Sequence, residues 1–123
     1  MPDFSSTAQT AHFDVASLHL VKPEIDLSLA QVESVLSVFV DDDQNTNGLV
    51  DAAEAMAQIH GILRLLNLFG ASELSGAMAS SLKEIADHPS NTKEDRLAAI
   101  GEGLMVLHRY LEFVLLRETP LPH

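Results

Sequence analysis

The sequence predicts an all-α protein, an up-down four-helix bundle preceded by a loose N-terminal leader. Three observations carry that expectation. Apolar residues recur at steps of three and four in four separate stretches, and no stretch alternates as a half-buried strand would. The composition is aliphatic: 46% of residues are hydrophobic, only 5% are aromatic and none is tryptophan, which favours helices over a β-sandwich. The breaks between stretches are short and built from turn formers, so successive helices should pack side by side. A chain of 123 residues is one ordinary domain and can build a core without metals or disulfides.

Residues 1–17 read as a flexible leader, small and polar in character. The first helix is expected to open near Pro23, because proline suits the first helical position. Its stripe is Ile25, Leu29, Val32, Leu36 and Phe39. Asp41 to Gly48 is turn chemistry and ends it. A second helix should run from about Val50 to Phe69, with Ala52, Met56, Ile59, Leu63 and Leu66 inward, widened by Ile62, Leu65 and Phe69, and with Gly70 as its C-terminal cap. A third, from about Ser72 to Asp87, carries Leu74, Met78, Leu82 and Ile85. His88-Pro89-Ser90 stops it, and Asn91 with Glu94 looks like a capping-box variant opening the fourth. That helix carries Leu97, Ile100, Leu104, Leu107, Leu111 and Val114 until Thr119-Pro120-Leu121-Pro122. The bundle is thus expected over 18–118, with 119–123 a tail or the start of a linker. Met56, Met78 and Met105 fall on or beside these stripes and are expected to fill the core.

Seven basic side chains stand against 18 acidic ones, a formal net charge of −11. Such a field repels phosphate backbones and argues against nucleic acid or anionic lipid as partners, while favouring basic protein surfaces. The absence of cysteine excludes a thiol nucleophile and a thiolate metal site. No run is long and apolar enough for a membrane span, and Met1 to Ala11 lacks the pattern of a signal peptide, so a cytoplasmic location is expected. No nucleophile-elbow pattern frames a serine. Gly101-Glu102-Gly103 lies inside a helical pattern and marks close packing or a weak point, not a dinucleotide loop. The chain therefore does not read as an enzyme, and no cofactor is expected.

One spacing points to a cation. Asp43, Asn45, Asn47, Gly48, Leu49, Asp51 and Glu54 stand where a calcium loop has its ligands and its turn glycine, with Leu49 offering a carbonyl and Glu54 both carboxylate oxygens. A helix precedes and a helix follows, as that motif requires. The same residues also suit an ordinary helix–helix turn, and such loops usually come in pairs.

The second informative stretch runs from Met56 to Ala71. Gly61 interrupts strongly helical sequence at a cost of about 1 kcal/mol against alanine, so close approach of another backbone or of a partner is expected there. This stretch resembles a histidine phosphotransfer (Hpt) domain, a four-helix bundle with a His-x-x-Lys-Gly motif on its second helix. The runs LSLAQVESVLSVFV, IHGILRLLNLFGASELSGAM and GLMVLHRYLE are most similar to the degenerate Hpt-like regions of twitching-motility regulators and pilus chemosensory kinases. The similarity covers about Leu20 to Arg117.

In the family the histidine exchanges a phosphoryl group with a receiver aspartate, and the glycine leaves room for the receiver. Setting Gly61 on the motif glycine places His60 at the lysine position and Ala57 at the phospho-histidine position. The resemblance therefore implies a non-catalytic Hpt-like interaction or scaffold domain in type IV pilus chemosensory signalling. Its partner would be a receiver-like or polar scaffold protein docking on Glu54, Ala57, Gln58, His60, Gly61 and Arg64. Two alternatives stand beside it. One is an active phosphotransfer domain in a shifted register, with His60 as acceptor and Arg64 one turn on to pair a phosphoryl oxygen. The other is a calcium-responsive helical module using the loop from Asp43 to Glu54. The remaining histidines, His12, His19, His88, His108 and His123, have no i, i+4 pairing, and no zinc site is expected.

Overall fold

A computed structural model describes residues 15–118. It is an all-α four-helix bundle: α1 spans Val15–Asp41, α2 Leu49–Leu65, α3 Phe69–Asp87 and α4 Glu94–Glu118, with a 3-10 turn at Pro89–Asn91. No strand occurs among the described residues. Each helix packs on its neighbours in sequence, and α1 closes the ring against α4, while the backbones of the diagonal pairs α1–α3 and α2–α4 stay more than 8 Å apart between Cα atoms. The most extensive contact joins α2 to α3. No described helix is long and apolar enough to cross a membrane.

The helical stripes converge on one core. Ile25, Val32 and Phe39 of α1, Met56, Ile59 and Leu63 of α2, Leu82 and Ile85 of α3, and Leu107 and Leu111 of α4 are all buried in it. Three boundaries differ from the sequence expectation. The first helix is already formed at Val15, the first described residue and eight residues before Pro23, which lies inside it. Leu18 and Lys22 extend the buried stripe backwards at helical spacing, so burial carries the helix through the proline. Pro23 lies on the exposed side, and the His19 carbonyl that loses its amide partner belongs to an exposed residue, where water can serve it. Residues 1–14 of the expected leader and the tail 119–123 lie outside the described residues.

The second helix stops at Leu65, well before Phe69. The terminator is Asn67, at φ 64°, and not Gly70. The Leu68 amide donates to the Leu63 carbonyl at 2.9 Å and the Asn67 amide to that of Arg64 at 3.1 Å, the paired bonds of a Schellman ending. Leu63 and Leu68 are both buried, the apolar contact that accompanies such endings. Because the chain reverses here, Leu65 and Phe69 fall off the apolar face and are exposed, against expectation.

The capping box does not form either. Asn91 sits in the 3-10 turn and Glu94 begins α4, whose first turn is closed by the Lys93 carbonyl accepting from Arg96 and Leu97. Met56 and Met78 are buried as expected, but Met105 is 52% exposed, because its neighbour Leu104 takes the inward position. Gly103 is buried against Met78, while Gly101 is exposed, so only the former marks close packing.

A single buried cation ties α1 to α4. Lys22 Nζ bonds both oxygens of Asp26 at 2.9 Å, and also Glu112. Burial works against the ammonium, but the hydrogen bonds to Glu112 and Asp26 outweigh it, and its pKa is raised above the usual 10.5. The same hydrogen bond and charge hold the Glu112 carboxyl below its usual 4.5. The Lys22 contribution is complete below 10.5 and is lost as pH rises through the raised value. The Glu112 contribution is complete above 4.5 and is lost as pH falls through the lowered value. Thermal melting across pH should therefore show a plateau between these limits, and Lys22→Met should flatten both shoulders while leaving the helical signal intact. Lys22→Ala, which also removes the buried stem, should cost about 1–2 kcal/mol by urea denaturation at neutral pH.

Candidate functional site

The α2–α3 contact leaves an open groove of about 470 Å³ along its length. Small side chains line much of it, Ala53 and Ala57 from α2 and Gly76, Ala79 and Ala86 from α3, with Val50 beside them. Its rim is polar: Glu54 and His60 on one wall, Ser80, Lys83 and Asp87 on the other. Two matched stripes build it. Val50, Ala53, Ala57 and His60 succeed one another at steps of three, four and three, and so do Gly76, Ala79, Lys83 and Ala86. Each stripe therefore forms one face of its helix, and the small residues let the two helices frame a cleft.

Three of the six residues expected to meet a partner line this groove: Glu54, Ala57 and His60. Gln58 and Arg64 are exposed and Gly61 half-buried, none of them among the groove residues. A Cβ at Gly61 would meet nothing within 4 Å, so no neighbouring helix among the described residues accounts for that glycine. The opposite wall, on α3, was not legible as a site from sequence. Its signal was the run Ser72, Ser75, Gly76, Ala79 and Ser80, small residues clustered where an amphipathic helix normally carries larger ones.

His60 is the most constrained polar group of the groove. Its Nδ1 lies 2.7 Å from the Ser72 carbonyl and 3.0 Å from the Ser72 hydroxyl. A carbonyl only accepts, so Nδ1 carries the proton, and in the neutral ring Nε2 is the bare nitrogen. The Ser72 hydroxyl donates in turn to the His60 carbonyl at 3.3 Å. Space for the ring comes from Gly76, where a Cβ would stand 3.0 Å from Nδ1 and 3.1 Å from Cε1. Ser75, fully buried beneath, satisfies its hydroxyl on the Ala71 carbonyl at 2.9 Å.

The calcium-like residues are spread over two elements. Asp43, Asn45 and Asn47 stand in the α1–α2 connection, and Asn45 Oδ1 accepts from the Asn47 amide at 3.2 Å. Gly48 takes φ 84°, as the sharp turn of such a loop requires, and a Cβ there would press on Val35 at 2.9 Å. Leu49 is buried and opens α2 with Asp51 in its first turn, while Glu54 lies further along, on the groove rim. Among the described residues, the carboxylate and imidazole cluster with metal-ligand spacing is elsewhere: Asp26, His108 and Glu112, within 4.8 Å of one another. The Lys22 ammonium already bridges its two carboxylates. His19 and His88 are exposed, and His12 and His123 lie outside the described residues.

Comparison with known proteins then places the chain. It is 36% identical over 106 residues to Scaffold protein FimL of Pseudomonas aeruginosa, a match covering 86% of this chain. The chain is a FimL-like relative. It spans 19% of the length of that protein, so the similarity is to one segment of FimL. No protein-family model matches the chain. No solved structure matches it either.

The geometry around His60 has a direct readout. Long-range proton–nitrogen NMR spectra should show its neutral ring as the Nδ1–H tautomer. Gly76→Ala should push the ring a few tenths of an ångström off its seat and weaken that tautomer preference, its overpacking offset in part by a helix-propensity gain of about 1 kcal/mol.

Proposed function

We propose that this chain is a non-catalytic, Hpt-like protein-interaction module acting in a scaffold of type IV pilus, or twitching-motility, chemosensory signalling. The FimL relative, a scaffold protein by name, supports a scaffolding role and protein partners. The observation that carries the reading is the α2–α3 groove, lined by Ala57 where the Hpt resemblance would set the acceptor histidine. Alanine offers no nucleophile, so a receiver-like or polar scaffold protein would dock there without group transfer. A small-residue lining lets a partner backbone come close, and the rim residues Glu54, Lys83 and Asp87 supply polar contacts of both signs. A cytoplasmic setting belongs to the same proposal.

A second reading has one specific observation behind it. In the neutral ring, the proton held on Nδ1 by Ser72 makes His60 Nε2 the bare nitrogen, the one a phosphoacceptor would use. The two readings separate in one pair of measurements with a receiver domain from a pilus chemosensory system. Amide NMR titration should shift Glu54, Ala57 and His60 with their neighbours Gln58, Gly61 and Arg64. Ala57→Arg, on an exposed position, should weaken binding at least tenfold without unfolding the domain. Labelled phospho-receiver should leave no label on the chain. Label that appears and is lost in His60→Ala would give the second reading instead, and a titration that leaves the groove unmoved would sink both.

A further inference from the structure

The flank of α4 beside α3 carries a seam that the α2–α3 groove does not use; Val106 and Tyr110 border a shallow crevice there with Gly70, Ala71 and Leu74. Val106, Tyr110 and Phe113 are 51%, 40% and 54% exposed, an unusual concentration of large apolar surface on a chain with only 5% aromatic residues. They follow one another at steps of four and three, so they form one stripe. The stripe has opposite charges at its ends: Glu102 one turn before Val106, and Arg117 one turn after Phe113. The Arg117 guanidinium lies over the Phe113 ring, 5.5 Å from its centroid.

This order is self-complementary. Let a second α4 run antiparallel, with the two-fold axis between Arg109 and Tyr110. Glu102 then faces Arg117 of the other copy, Val106 faces Phe113, and Arg109 faces Tyr110. Each end of the seam gains an ion pair, the middle gains a cation–π contact, and the apolar residues between them are covered twice over. The seam from Glu102 to Arg117 is ~22 Å long, enough for two turns of antiparallel packing on each side of the axis. Charge decides the occupant. On a chain of net charge −11, two like surfaces repel unless the contact itself brings opposite signs together. The seam does so with its own copy.

We propose that α4 is a homodimer interface: a second copy of this chain docks antiparallel along Glu102, Val106, Arg109, Tyr110, Phe113 and Arg117. The surface lies on a different helix from the proposed partner groove, and the two stand or fall independently.

Sedimentation equilibrium of the 123-residue chain over a rising concentration series tests this. The weight-average mass should climb from 13.3 kDa towards twice that value. Phe113→Glu, an exposed position, should hold it at one copy, with circular dichroism reporting an intact fold. Glu102→Arg and Arg117→Glu should each weaken dimerisation about tenfold, and the double exchange should restore it, a rescue that a merely structural effect would not give. A mass of one chain at every concentration overturns the proposal and leaves the seam to another partner. A dimer indifferent to these substitutions also overturns it.

Discussion

The reversal between α2 and α3 is the constraint on which the rest depends. Only Leu66, Asn67 and Leu68 separate the helices, and Asn67 must turn left-handed for the chain to double back. Its reward is local and tertiary together. Two carbonyls at the end of α2 are capped, and Leu63 and Leu68 enter the core at the turn. The reversal fixes which residues of α3 meet which of α2. Ser72 reaches His60, and Gly76 passes beneath its ring. The groove above is a consequence of the same register, which brings the small residues Ala53 and Ala57 of α2 into one cleft with Gly76 and Ala79 of α3.

The far side of the ring is held by other means. There α1 and α4, distant in sequence, are joined by apolar stripes and by Lys22, whose buried ammonium serves two carboxylates at once. A buried charge without partners is expensive, so this cluster selects one rotational setting of α4 on α1. That setting leaves Val106, Tyr110 and Phe113 facing outward. The exposed stripe is therefore imposed by the inward one: Ile100, Leu104, Leu107, Leu111 and Val114 already occupy the core face, and α4 has apolar residues to spare.

The stripes were legible because burial and helical period act on the same residues: Ile25 to Phe39, Ala52 to Leu63 and Ile100 to Val114 went inward as their spacing required. The ends were less so, since they depend on contacts the local pattern does not contain. Pro23 signals a helix start unless Leu18 and Lys22 have a surface to bury against, and here they do. Gly70 signals a stop, but Asn67 reaches the left-handed region first and the packing of Leu68 rewards it. At the groove, helical spacing on α2 set Glu54, Ala57, Gln58 and Gly61 on one face, of which only Glu54 and Ala57 line the cleft; His60 entered through the family resemblance, and no rule of single helices could give Ser72, Gly76 and Lys83, because their role exists only across the α2–α3 contact.

The two surfaces occupy different corners of the ring. No seam residue of α4 lines the groove, so a partner there and a second copy on α4 use different side chains. The proposed scaffolding role needs this separation, since a scaffold must hold one molecule while being held by another. An antiparallel dimer through α4 would carry two grooves in fixed relation, and a partner that is itself multivalent would then bind at an effective concentration set by that spacing. Such an arrangement raises avidity without any new contact in the groove. On these two proposals a small-lined cleft of mixed charge would suffice: its task would be to position a partner that the pairing of copies retains.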